Sequence, residues 1–348
     1  PYRLFVTGGR LAGPPVTRNR ITGAAAALVA WEPDAPIRAP SGWHPWRYPL
    51  DKGRTFRVSG TVRIDTTWRL ATNDTLVVEP GSVLRLAPDV SIVSRGLVRA
   101  VGTAARPIRV VRADDSRPWG AFVLQDRGAS GSVLRHVEFV GGGGGLVDRI
   151  EYIGMVNVHQ ATGVVIDSAA FIDNVRSDDT FHALHADVSL TNSRFVRANS
   201  DAVDYDLSTG LIGANVFEGS GGDAIDLMTS TPRVVGNRIE RAGDKGISIG
   251  EASSPFVFDN RIANGVAGIE IKDRSTPVIL NTEVRGVGVG LRVRMKNWRY
   301  GGSGFGLIAN SVIAEATQPV DVDSTGRLTA VAVAGIDSAE APADRLAW

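Results

Sequence analysis

The chain has 348 residues with a formal charge of +1, from 38 Lys and Arg against 37 Asp and Glu, so no global field draws it to nucleic acid or to an anionic membrane. It contains no Cys, which excludes a disulfide scaffold, a thiolate metal site and a Cys nucleophile. Forty Gly without a collagen period indicate many tight turns rather than long helices.

Residues 1–70 hold four of the seven Trp (Trp31, Trp43, Trp46 and Trp68) and a Pro-rich stretch from Pro33 to Pro49. This segment is expected to be a β-rich cap or a small accessory segment, because a solenoid end exposes apolar surface and unpaired strand edges. The longest small-apolar run, Ala24 to Trp31, falls far short of the roughly 20 residues of a membrane helix, so no membrane insertion is expected. A secreted or cell-surface location is expected and suits the absence of Cys.

From residue 71 to 335 a repeat takes over. Its strand frame is clearest in Asp201-Ala-Val-Asp204-Tyr-Asp206, Asp223-Ala-Ile-Asp226-Leu-Met228, Lys245-Gly-Ile-Ser248-Ile-Gly250, Ala267-Gly-Ile-Glu270-Ile-Lys272 and Val289-Gly-Leu-Arg292-Val-Arg294, each 22 residues after the last. His182-Ala-Leu-His185-Ala-Asp187 reads as the preceding copy, and Gln318 to Asp323 as a later one. Alternation of apolar and polar residues is a strand signal, and strands at this spacing predict a solenoid whose coils contact only their neighbours. A second strand in each unit ends in Asn (Asn215, Asn237, Asn260, Asn281 and Asn310), which predicts an internal amide ladder. Gly141 to Gly145 reads as a flexible turn between coils, and residues 336–348 as a loose tail. The fold class is therefore all-β, a parallel β-helix of about 22-residue coils.

This pattern resembles the right-handed parallel β-helix proteins of the pectin-lyase-like superfamily, and the run Asp201 to Gly301 also resembles β-helix regions of bacterial surface proteins. Part of it is similar, motif by motif, to polygalacturonase-type glycoside hydrolases. Their Asn-Thr-Asp strand appears as Asn199-Ser200-Asp201, their Asp-Asp pair as Gly222-Asp223, and their Gly-His-Gly as Asp244-Lys245-Gly246. Their Arg-Ile-Lys appears as Glu270-Ile271-Lys272. Asp201, Asp223 and Lys272 match functional positions. The first Asp of the pair, the proton donor of that family, is replaced by Gly222, so the mechanism does not transfer whole.

Coils in register stack equivalent residues about 4.8 Å apart on one sheet. The outward columns then gather Asp204, Asp226, Asp201, Asp223, His185 and Lys245 as candidate catalytic groups. His182, Lys272, Glu270, Arg292 and Arg294 are candidates for holding substrate, with Trp298 and Tyr300 in the loop after them suited to stacking on sugar rings. Between Arg197 and Arg233 lie six acids and no Lys or Arg, and like charges stacked on a sheet need a compensating reason. Asp204 with Asp226, about 5 Å apart, fits retaining glycoside hydrolysis, whereas Asp201 with Asp226 is expected to be wider, in the inverting range. A carboxylate-lined groove acting on a polysaccharide, acidic or neutral, is the first reading. Uronate elimination or epimerisation, with Arg292, Arg294 and Lys272 holding the carboxylate, is the second, and a non-catalytic polysaccharide-binding surface module the third. No cofactor is required for hydrolysis. Asp187, Asp206 and His159 are candidate ligands for a divalent cation such as Ca²⁺.

Overall fold

A computed structural model describes residues 53–336. Three long parallel sheets run side by side, of twelve, eleven and eleven strands: eleven coils contribute one strand to each, and a twelfth adds Arg327–Val331 to the first sheet alone. The first sheet runs from Thr55–Val58 to Arg327–Val331, the second from Thr61–Ile64 to Val312–Ala314, and the third from Trp68–Leu70 to Gln318–Val322. Coiling therefore begins at Thr55, earlier than the expected residue 71: Thr55, Thr61 and Trp68 already pair in parallel with the next coil. The short strands of that coil are separated by turn residues that masked the period. The expected N-terminal cap and C-terminal tail otherwise lie outside the described residues.

Alternation explains the interior. In Asp201–Asp206, Val203 and Tyr205 are buried while Asp204 and Asp206 remain partly exposed. In the second sheet the inward column stacks Phe139, Phe171, Phe195 and Phe217, with ring centroids 5.5, 4.5 and 4.9 Å apart and nearly parallel planes. Each such pair contributes about 1 kcal/mol beyond its burial. Ile239, Ile262, Val284 and Ile313 continue that column in register.

Corners between sheets leave backbone N–H groups without a strand partner, and stacked side chains accept from them. Asn215 N–H and Nδ2 donate to Asn237 Oδ1 at 3.0 and 3.1 Å, and Asn237 repeats this onto Asn260 at 3.0 and 2.9 Å. The ladder does not extend to Asn281 and Asn310, as the sequence suggested. Both lie one residue early, at φ of 51° and 48°, and Thr282 and Ser311 occupy the buried rung instead, with Thr282 N–H donating to Ser311 Oγ. A second ladder, Ser208, Ser230, Ser253 and Ser275, lines another corner by the same backbone-to-side-chain bonding. Replacing Asn237 with Ala strands Asn215 and the Ile212 carbonyl at once. The expected cost is about 3 kcal/mol, read as a lower urea midpoint with an unchanged slope.

The Gly-rich segment is not simply a flexible turn. Gly145–Val147 pairs antiparallel with Ile150–Tyr152, and this hairpin stands beside the third sheet. With Arg176, Ser177 and Asp178 it bounds a cleft of about 640 Å³.

Candidate functional site

The third sheet carries the chemistry. Its central outward column runs Asn157, His182, Asp204, Asp226, Ser248, Glu270, Arg292, Asp321, each paired in register with the next. Asp204 and Asp226 are thus direct neighbours on one wall. The copy beginning at His182 is corrected by three residues, because the strand is Asp179–Leu184 and Asp179 aligns with Asp201. His182 then sits in the central column rather than at the corner. His185 lies past the strand, in a left-handed turn at φ 50°, and Asp187 opens a strand of the first sheet. Neither shares the carboxylate face. Asp187 thus stands on a different sheet from Asp206 and His159, the residues it was grouped with as cation ligands. Asp179 was missed, and the signal was arithmetic: 22 residues separate it from Asp201, against 19 for His182.

Two clusters emerge. One donor oxygen each from Asp201, Asp223 and Asp226 lies within 4.8 Å of the others, and the same holds for one donor atom each of Asp179, His182 and Asp204. The corner column is bonded along its length: Asp223 N–H donates to Asp201 Oδ1 at 2.6 Å, and Lys245 N–H to Asp223 Oδ1 at 3.0 Å. Gly222 makes this packing feasible, since a Cβ there would fall 2.2 Å from Asp201 Oδ1. In place of the wide separation expected, one carboxylate oxygen of Asp201 and one of Asp226 lie within 4.8 Å of each other.

Burial, reinforced by Asp223 and Asp226, pushes Asp201 up to about 7. Burial and the neighbouring charges raise both Asp179 and Asp204, which disfavour ionising together. Burial and then Asp226 raise Asp223, while Lys245 opposes them. His159 is held down to about 3 by burial and by His182, whose Nδ1 lies 3.1 Å from His159 Nε2. Asp226 accepts from Leu227 N–H at 3.0 Å, with Lys272 Nζ 3.8 Å away.

Beyond Asp226 the face changes sign, but its cations are engaged. Lys245 is 2% exposed and bonded to Asp223 at 3.1 Å and to Asp244. Burial alone would lower its pKa, but Asp223 and Asp244 outweigh that and raise it. Glu270, fully buried, pairs with Arg292 at 3.5 Å and Arg294 at 3.1 Å, and Arg292 also meets Asp321 at 3.0 Å. The loop that follows places Trp298 in the open at 76% exposure, beside the Arg299 guanidinium, with Tyr300 half-buried.

The fold defined by these sheets is a right-handed parallel β-helix. The family model described as "Right handed beta helix region" matches residues 156–317, which include the whole of the carboxylate face. No curated protein matches the chain. Among solved structures, the periplasmic alginate epimerase AlgG is 11% identical, with 80% of this chain and 78% of that chain covered and a TM-score of 0.42. An alginate lyase from Paenibacillus sp. str. FPU-7 is 17% identical over 73% of this chain and 88% of its own, with a TM-score of 0.41. Full-length tailspike protein 2 of Escherichia coli O157:H7 bacteriophage CAB120 is 11% identical over 80% of this chain and 39% of its own, with a TM-score of 0.44. Such similarity concerns the coil architecture and leaves the chemistry to the side chains.

Proposed function

We propose that the protein hydrolyses a polysaccharide on its third sheet, with Asp201 as general acid and Asp226 as nucleophile. The observation that carries this reading is the approach of the Asp201, Asp223 and Asp226 carboxylates to within 4.8 Å on a solid wall. Asp201, raised to about 7 and so about half protonated at neutrality, gives its proton to the glycosidic oxygen. Asp226 attacks the anomeric carbon, and water then releases the sugar with Asp201 acting as base. Asp223 raises the affinity of Asp201 for its proton, and Lys245 holds Asp223 in place. The exposed Trp298 offers a ring for a sugar unit further along the chain.

A neutral polymer fits better than a polyuronate. Six Asp residues (179, 201, 204, 206, 223 and 226) cluster on this part of the third sheet, whereas Arg292, Arg294 and Lys245 are each paired to protein carboxylates. A uronate clamp would need positive charge left free. Such polymers are met outside the cytoplasm, which is where we place the protein. Among the described residues no helix is long and apolar enough to cross a membrane.

The test is a panel of neutral and acidic polysaccharides assayed for reducing ends and for unsaturated products. Reducing ends from a neutral polymer, without unsaturation, are the expected result. Unsaturated ends, altered sugar configuration without cleavage, or no turnover on any polymer would each replace the reading.

A further inference from the structure

We infer that Asp179, His182 and Asp204 form a binding site for one divalent transition-metal ion of the Zn²⁺ or Mn²⁺ class, a site separate from the hydrolytic pair. One donor atom from each residue falls within 4.8 Å of the other two, on adjoining strands held in register. Asp179 is 1% exposed, yet its Oδ2 is buried with no hydrogen-bond partner, and Asp204 Oδ1 is in the same condition. A buried carboxylate oxygen without a donor costs about 1–3 kcal/mol, and two such oxygens converge here from neighbouring coils. Among the described residues no cation pairs with these carboxylates: the ion pairs of Lys245 and Lys272 are with Asp223, Asp244 and Asp226, at the other cluster.

The imidazole fixes the class of ion. His182 Nδ1 is taken by His159 Nε2 at 3.1 Å, which orients the ring as the outer partner of a metal-bound histidine does. Nε2 faces the acidic side and is hydrogen-bonded to Asp206 Oδ2 at 3.4 Å, a carboxylate contact that a bound ion would replace. A nitrogen with two carboxylates suits Zn²⁺ or Mn²⁺, whereas Ca²⁺ prefers an all-oxygen shell. Asp206 stands at the rim as a further oxygen donor. His159 and Asp206, two of the three residues expected from sequence to bind a cation, thus flank the site, and Asp179 and Asp204 supply the carboxylates in place of Asp187.

The alternative is that Asp179 and Asp204 merely share a proton, and titration of the chelator-stripped full chain decides between them. With Zn²⁺ or Mn²⁺ followed by calorimetry and thermal melting, one equivalent is expected to bind, with the melting temperature rising by about 5 °C once the free ion is roughly 100-fold above its dissociation constant. Ca²⁺ should be weaker. Asp179→Asn removes a like charge and is expected to fold, and with His182→Ala it should lose binding at least 100-fold. Asp187→Asn, on the neighbouring sheet, should bind as the parent does. No saturable binding to the parent chain, equal binding by Asp179→Asn, or a preference for Ca²⁺ would overturn the inference. Any of these leaves the reducing-end assay of the Asp201 and Asp226 pair untouched, so the two readings fail separately.

Discussion

Asp226→Asn is expected to lower the release of reducing ends by about 10³-fold or more, because an amide of the same shape cannot attack the anomeric carbon. The fold should survive, since the substitution removes one charge from a cluster in which Asp201 and Asp223 are both raised partly by Asp226. The melting temperature is therefore expected to hold or to rise, which separates lost chemistry from lost structure. Asp201 supplies an independent check in the parent protein. Burial first, then Asp223, holds its pKa up to about 7. The acid form is present below that value, so turnover should fall as pH rises through about 7. Replacing Asp201 with Asn should abolish that limb along with most of the activity. Hydrolysis retained by Asp226→Asn would place the nucleophile elsewhere on the sheet.

How far the sequence disclosed this site follows from the constancy of its period. Asp201, Asp204, Asp223 and Asp226 were legible because the coils around them repeat at 22 residues without insertion, and each outward residue is flanked by inward Val, Ile, Tyr or Leu. One coil earlier the same alternation misled. His182-Ala-Leu-His-Ala-Asp satisfies the pattern of two as well as Asp179-Thr-Phe-His-Ala-Leu does, and the three-residue slip takes His185 for a face residue and Leu184 for an interior one. The spacing and the interior break the tie: Asp179 keeps the 22-residue step to Asp201, and Phe181 fills the core against Tyr205, with ring centroids 6.2 Å apart, where the slipped reading leaves it unplaced. The Asn ladder shows the same limit, because Asn281 and Asn310 sit in turns while Thr282 and Ser311, chemically different, perform the buried role. The bend that brings Asp201 beside Asp226 was not legible at all. It depends on Gly222 leaving room for a carboxylate, a close approach that strand alternation does not report.

Lys245 was a candidate for catalysis, and its position argues for a different part. Lys245→Met should destabilise the protein by about 3 kcal/mol at pH 8, because it leaves Asp223, 5% exposed, without its cation. The cost has a sign in pH. Burial and Asp226 already raise Asp223, and losing the Lys245 ammonium, which opposes them, raises it further. A carboxyl whose folded pKa is raised stabilises the fold below its unfolded pKa and loses that stability as pH climbs toward the folded value. The penalty of Lys245→Met is therefore expected to be smaller at pH 5 than at pH 8, because lower pH favours the protonated Asp223 carboxyl. Adding Asp223→Asn should recover most of the loss at pH 8, since an amide carries no charge to strand. Chemical denaturation of the two variants at both pH values measures all four terms. A catalytic lysine would give another pattern, with turnover lost in both variants at every pH and stability barely changed in Lys245→Met. The geometry favours the first outcome: an ammonium 2% exposed and bonded to two carboxylates holds the acidic corner together, and the sugar meets the aspartates that it supports.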